Sequence, residues 1–245
     1  MRIRIFALAL ILFSCSDANM SSDSTQGTGG SLTRFAIKDS YLYIVTGFTI
    51  NVYSLNAGAF NEVNSITIGF GLETIQANGD FLYLGANDAM YIYSIADRTK
   101  PEFVFRYAHI VSCDPVVVQG NRAYVTLRTG NACNLGVNML EIIDISNPYS
   151  PQLIKQHQMT SPGGLGISGT CLFVCEGVNG LKMLNVANDQ VTELLELPEV
   201  NAYDVIVKPN SFILTGEDGI FQYDYTCDPP VLTLVSSIPV QRADF

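Results

Sequence analysis

Short runs in which apolar and polar residues alternate recur along the chain from residue 32 onward. Five of them line up: "YLYIVTG" from 41, "FLYLGAN" from 81, "AYVTLRT" from 123, "CLFVCEG" from 171 and "FILTGED" from 212. With Tyr43, Tyr83, Tyr124, Phe173 and Ile213 aligned, the successive spacings are 40, 41, 49 and 40 residues. A second run follows each one: "INVYSLN", "MYIYSIA", "LEIIDIS", "LKMLNVA" and "IFQYDYT". These runs are rich in β-branched and aromatic residues, as half-buried strands require.

The flanks complete a repeating unit. Tight-turn signals ("KDS", "NGD", "QGN", "SGT", "KPN") precede the first runs, and a short apolar stretch precedes each turn. Residues of this type supply the positive φ of tight hairpins. A fourth stretch closes each unit, as in "FVFRY" and "TELLEL". Four antiparallel strands per unit of roughly 40 residues is the period of a propeller blade. The expected fold is therefore all-β, a β-propeller of five four-stranded antiparallel blades over residues 32–245, with blade 5 closing against blade 1.

The segment "GNRAYVT…LEIIDISNPYSPQLI" of the third unit resembles the LVIVD repeat, and "GDFLYLG…MYIYSIADRTKPEFV" of the second follows it closely. The fourth and fifth units are degenerate but in register. The resemblance implies a propeller-like fold and an exported or cell-surface setting, and brings little biochemistry with it.

Residues 1–14 read as an export signal, with Arg2 and Arg4 ahead of an apolar run that ends before Ser14 and Cys15. The run is shorter than the roughly 20 residues a spanning helix needs, which favours a cleaved signal. "LFSC" resembles the bacterial lipobox, which implies cleavage before Cys15 and lipidation of its sulfur. Residues 15–31 lack apolar periodicity and are rich in Ser, Gly, Thr, Asn and Asp, so they read as a flexible tether. The expected location is the bacterial outer membrane, on its periplasmic or cell-surface face, held by the lipid on Cys15.

Removing the signal takes away Arg2 and Arg4 and moves the formal charge from −10 to −12. Nucleic acid is thereby disfavoured as a partner, because phosphate binding needs clustered Lys and Arg. An exported chain can keep disulfides. Cys113 precedes the innermost strand of the third unit and Cys133 sits in that unit's long insertion, so a Cys113–Cys133 bridge is expected. Cys171 and Cys175 lie on one strand, roughly 13 Å apart, too far to bridge each other, and read as buried small groups. Cys227 could reach Cys171, so the pairing of these three stays open, with Cys175 the candidate free thiol.

Sequence motifs for catalysis are scarce. "GLGISG" at 164–169 spells GxGxxG, but it leads from strand to strand, whereas a dinucleotide site needs a strand followed by a helix. His109 and His157 fall in the outer strands of different units, with no second ligand nearby in sequence. Aligning the innermost strands places Arg34, Glu73, Asp114 and Asp204 at one mouth of the axis. The hairpins on that same face, the top, add Asp88, Arg128, Glu176, Glu217 and Asp218. Convergent carboxylates there have the chemistry to hold Ca²⁺ or to grip a polar ligand. Acids at such turns also cap strand ends. The leading functional expectation is a binding or scaffold module for protein or glycan. A propeller enzyme with metal-assisted hydrolase or lyase chemistry at the mouth is the alternative, and a structural repeat protein without a specific ligand is a third.

Overall fold

The computed structural model describes residues 30–56, 59–108, 115–129 and 137–240. The described residues are mostly β-strand, joined by turns. A six-stranded sheet comes first: β1 (Phe35–Lys38), β2 (Tyr41–Ser54), β3 (Asn61–Asn78), β4 (Phe81–Ala86), β5 (Ala89–Ser94) and β6 (Glu102–Ala108). Three four-stranded antiparallel sheets follow. They comprise β7 (Val116–Gln119), β8 (Arg122–Leu127), β9 (Met139–Asp144) and β10 (Gln152–Gln158); β11 (Leu165–Ser168), β12 (Cys171–Cys175), β13 (Leu181–Asn185) and β14 (Thr192–Leu197); and β15 (Ala202–Lys208), β16 (Ser211–Gly216), β17 (Gly219–Cys227) and β18 (Pro230–Pro239).

The turns form where the sequence asks for them. Gly79, Gly120 and Gly169 adopt φ of 58°, 57° and 61°, the left-handed backbone that costs glycine nothing. Two strands of the first sheet are compound. The Leu55 N–H donates to the Ser40 carbonyl at 2.8 Å, so the residues flanking the two ends of β2 touch. A straight strand of 14 residues would hold those ends roughly 45 Å apart, so β2 reverses, at Gly47 (φ 38°). β3 serves two partners, pairing with β2 from Asn61 to Thr67 and with β4 from Leu72 to Asn78.

Alternation sends apolar side chains to the faces of the inner strand pairs, and the faces between neighbouring sheets are buried. Four apolar clusters result. Tyr43, Val45, Ile50 and Val52 of β2 pack on Leu82, Leu84, Tyr91 and Tyr93. Tyr83, Met90 and Ile92, from the opposite face, pack on Val116, Val125 and Ile143. Tyr124, Leu140 and Ile142 meet Leu172, Val174 and Leu184. Phe173 and Met183 meet Phe212, Leu214 and Tyr223. Each cluster removes the face of one strand set from water, the dominant favourable term in folding.

Polar side chains lock the same seams. The Gln76 Oε1 accepts from the Val118 N–H at 2.6 Å and its Nε2 donates to the Val118 carbonyl at 3.3 Å. Gln119 grips Gly169 the same way, at 2.9 and 2.8 Å. Arg98, in the turn after β5, reaches Asp39 and Asp80, each at 2.8 Å. Arg122 pairs with Asp144 at 3.1 Å and Asp189 at 2.7 Å.

Closure of the last sheet on the first does not follow the sequence expectation. No cluster of buried apolar residues among the described residues joins β1–β2 to β15–β18. The reason is visible in the register. Tyr83 faces Ile92, Tyr124 faces Ile142 and Phe173 faces Met183 across their strand pairs, whereas Ile213 faces Gln222. Gln222 and Asp224 are exposed on the outward face of the last sheet, beside exposed Ile220 and Ile238. The outward face of the first sheet is apolar. Phe35, Ile37, Leu42 and Ile44 line an all-apolar groove of about 360 Å³ there.

The cysteines also separate. Cys171, at the start of β12, is bridged to Cys227, at the end of β17, with Cα atoms 6.0 Å apart. This corrects the reading of Cys171 as a plain buried thiol: the β17–β18 turn brings Cys227 to the bottom edge of the neighbouring sheet. Cys175 is the free, buried thiol, and burial pushes its pKa up. Cys113 and Cys133 lie outside the described residues, as do Cys15 and the leader.

Candidate functional site

The end of the molecule at which β7, β11 and β15 begin carries a cleft of about 380 Å³. Leu32, Glu73, Pro115, Arg128, Gly163 and Tyr203 are among its walls, so the chain entering β1 and all the later sheets contribute. Beneath it the inner strands leave a cavity of only about 80 Å³, lined by Gln76, Val117, Leu165 and Val205. The axis is therefore packed below its mouth.

Of the residues assigned to the mouth from sequence, Glu73 and Arg128 line the cleft. Asp204 stands just behind it. Its Oδ1 accepts from the Ser31 hydroxyl at 3.0 Å and its Oδ2 from the Leu32 N–H at 3.3 Å. The Ser31 Oγ in turn accepts from the Leu165 N–H at 2.7 Å. Asp204 thus latches the segment before β1 across the mouth to two sheets. A Cβ on Gly30 or Gly164 would overlap its carboxylate, which is why glycine occupies both places. Burial raises the Asp204 pKa, against the lowering effect of these hydrogen bonds. Arg34 lies away from the cleft, on the groove of the first sheet. Asp114 falls outside the described residues.

The hairpin residues scatter. Asp88 pairs with Arg106 at 2.7 Å and accepts from the Tyr91 hydroxyl at 3.1 Å. Glu176 is buried, and its Oε1 takes the N–H groups of Thr160 and Ser161 at 2.7 and 3.2 Å, so it ties β12 to the preceding sheet's connection. Glu217 accepts from Asn201 at 2.5 Å. The Asp218 carbonyl accepts from the Val240 N–H at 3.0 Å. The acids therefore do not converge as one ring. No group of three His, Cys, Asp or Glu side chains among the described residues is placed to hold a metal ion.

"GLGISG" contains strand β11 and runs on to strand β12, which is no frame for a dinucleotide. His157 sits on β10, where burial lowers its pKa; His109 lies outside the described residues. Sequence reasoning missed Tyr203, which is 48 % exposed at the cleft, and the Pro162–Gly163–Gly164 wall beside it. The available signal was "SPGGLG", whose glycines permit close approach of neighbouring backbones.

A model of the LVIVD repeat matches residues 112–158. No curated protein matches this chain. Among solved structures, a functionally unknown protein from Desulfotomaculum acetoxidans is 13 % identical with a TM-score of 0.70, covering 87 % of this chain and 70 % of its own. A putative 6-phosphogluconolactonase from Bacteroides fragilis is 14 % identical with a TM-score of 0.67, covering 84 % and 69 %. The computationally designed Ika8 protein is 14 % identical with a TM-score of 0.59, covering 83 % and 60 %. This chain thus spans 60 % of the length of the designed protein. At such identities the likeness concerns the fold. The chain carries an LVIVD repeat within a propeller-like all-β architecture.

Proposed function

We propose that the protein is an envelope-anchored binding module of five propeller blades that takes a protein or glycan partner on the face bearing the 380 Å³ cleft. The count of five rests on the reversal of β2 and the two-partner pairing of β3, which divide the six-stranded sheet into two four-stranded units. The cleft carries the functional reading. It joins the exposed aromatic ring of Tyr203 to the exposed aliphatic side chain of Leu32, beside Arg128 and Glu73. Apolar contact surface with a few placed polar groups is the make-up of a ligand site. The packed axis beneath it suits surface contact.

The test uses residue 203 itself. A photo-crosslinking amino acid in place of Tyr203 is expected to yield a discrete adduct in living cells, or the purified protein to bind defined members of a glycan array. Tyr203→Ala should then weaken that binding at least roughly tenfold, as a central aromatic contact does. The same crosslinker at exposed Tyr149, in the turn between β9 and β10 at the opposite end of the strands, should give no such adduct. Silence from both the cells and the array would end the proposal.

The anchor is part of the same reading, and the lipobox-like "LFSC" supports it. Metabolic labelling with a fatty acid should mark the wild-type chain and leave Cys15→Ser unlabelled and released from the membrane fraction. Label retained by Cys15→Ser would refute it.

A further inference from the structure

Gly30 to Thr33 form a β-turn, closed by the Thr33 N–H and hydroxyl, which donate to the Gly30 carbonyl at 3.1 and 2.7 Å. The turn runs directly into β1, and its other contacts reach three further strands. The Thr33 carbonyl accepts from the Ile75 N–H of β3 at 3.1 Å. Ser31, buried at 4 % exposure, accepts from the Leu165 N–H of β11 and donates its hydroxyl to Asp204 of β15, which also takes the Leu32 N–H. One turn thus ties the first sheet to the last two at the mouth. Among the described residues no apolar cluster joins the first sheet to the last. The Cys171–Cys227 bridge holds the last sheet only to the sheet before it.

We infer that this turn is a releasable clasp, which opens as one unit while the sheets stay folded and carries Leu32 out of the cleft wall. Three features make the opening local. Hydrogen bonds hold the clasp, and Leu32, its one large apolar side chain, is 45 % exposed, so release uncovers little apolar surface. The turn precedes β1 and belongs to no strand, so no ladder breaks with it. Its central acceptor, Asp204, is a carboxylate whose burial outweighs its hydrogen bonds and raises its pKa; release returns that group to water, where its charge is better solvated. Where the cleft is the contact face, opening withdraws the aliphatic neighbour of Tyr203, and this consequence rests on the function proposed above.

Native-state hydrogen exchange, followed residue by residue by NMR on the full chain carrying Cys15→Ser, tests the clasp. It needs no partner, so a failure here and a failure of the contact site are told apart. The N–H groups of Leu32, Ile75 and Leu165 should exchange through one common opening that low concentrations of denaturant leave unchanged. Amides of β13 should exchange more slowly and speed up with denaturant, because global unfolding exposes far more surface. Ser31→Ala removes both bonds of one hydroxyl and should speed all three reporters together by roughly tenfold, the size of a buried hydrogen bond lost. Asp204→Asn, which keeps the side-chain volume, replaces it in the same comparison if Ser31→Ala does not fold. Reporters that track β13 in rate and in denaturant dependence overturn the inference, because the turn would then open only with the whole fold. So does a variant in which the three do not accelerate together.

Discussion

Replacing Cys227 with alanine is expected to cost roughly 4 kcal/mol of unfolding free energy. The bridge to Cys171 spans 56 residues of chain, and a loop of that length gives this figure on the chain-entropy account. For a domain of this size the melting temperature should drop by about 8–16 °C. In a chain carrying Cys113→Ser and Cys133→Ser, a reductant should reproduce the loss, and add nothing once Cys227→Ala is also present. Cys175 is buried and burial pushes its pKa up, which disfavours it as the attacking thiolate. Equal melting of wild type with and without reductant would show that the bridge contributes nothing.

Phe173→Ala should be comparably severe, at about 3–5 kcal/mol, the range for truncating a buried ring. Phe173 is fully buried, with ring centroids 4.7 Å from Phe212 and 4.8 Å from Tyr225. The loss would open a cavity in the seam between β12–β13 and β15–β17. Phe173→Leu, which keeps most of the volume, should cost far less. Urea denaturation of the three proteins decides it, and an alanine variant within about 1 kcal/mol of wild type would mean the seam collapses to refill the space.

The repeat was legible because it is local. Alternation, turn glycines and a period near 40 residues are written in contiguous stretches, and each described turn with Gly79, Gly120 or Gly169 adopts the backbone its residues demand. Closure was not legible, because it depends on how two faces distant in sequence compare. Gln222 stands where the earlier units carry Val52, Ile92, Ile142 and Met183, but Ile220 and Ile238 share its face, so no one residue tells whether that face is covered. Of the residues placed at the mouth from sequence, Glu73 and Arg128 line the cleft. Its acids were not sorted, because Asp204 and Glu176 are consumed by Ser31, Leu32, Thr160 and Ser161, and those partners come from other units of the chain. Tyr203 was hidden for the same reason. Exposure at a junction of sheets is a property of packing.

The glutamine grips have a bearing on how such a chain can diverge. Gln76 and Gln119 hold the main-chain groups of Val118 and Gly169 and no part of their side chains. A grip of this kind reads only the recipient's backbone, so what holds each recipient's identity lies elsewhere: core packing for Val118 and a positive φ for Gly169. Register between neighbouring sheets thus depends on one amide of the right length, and the side chains of the recipient strand answer to separate demands.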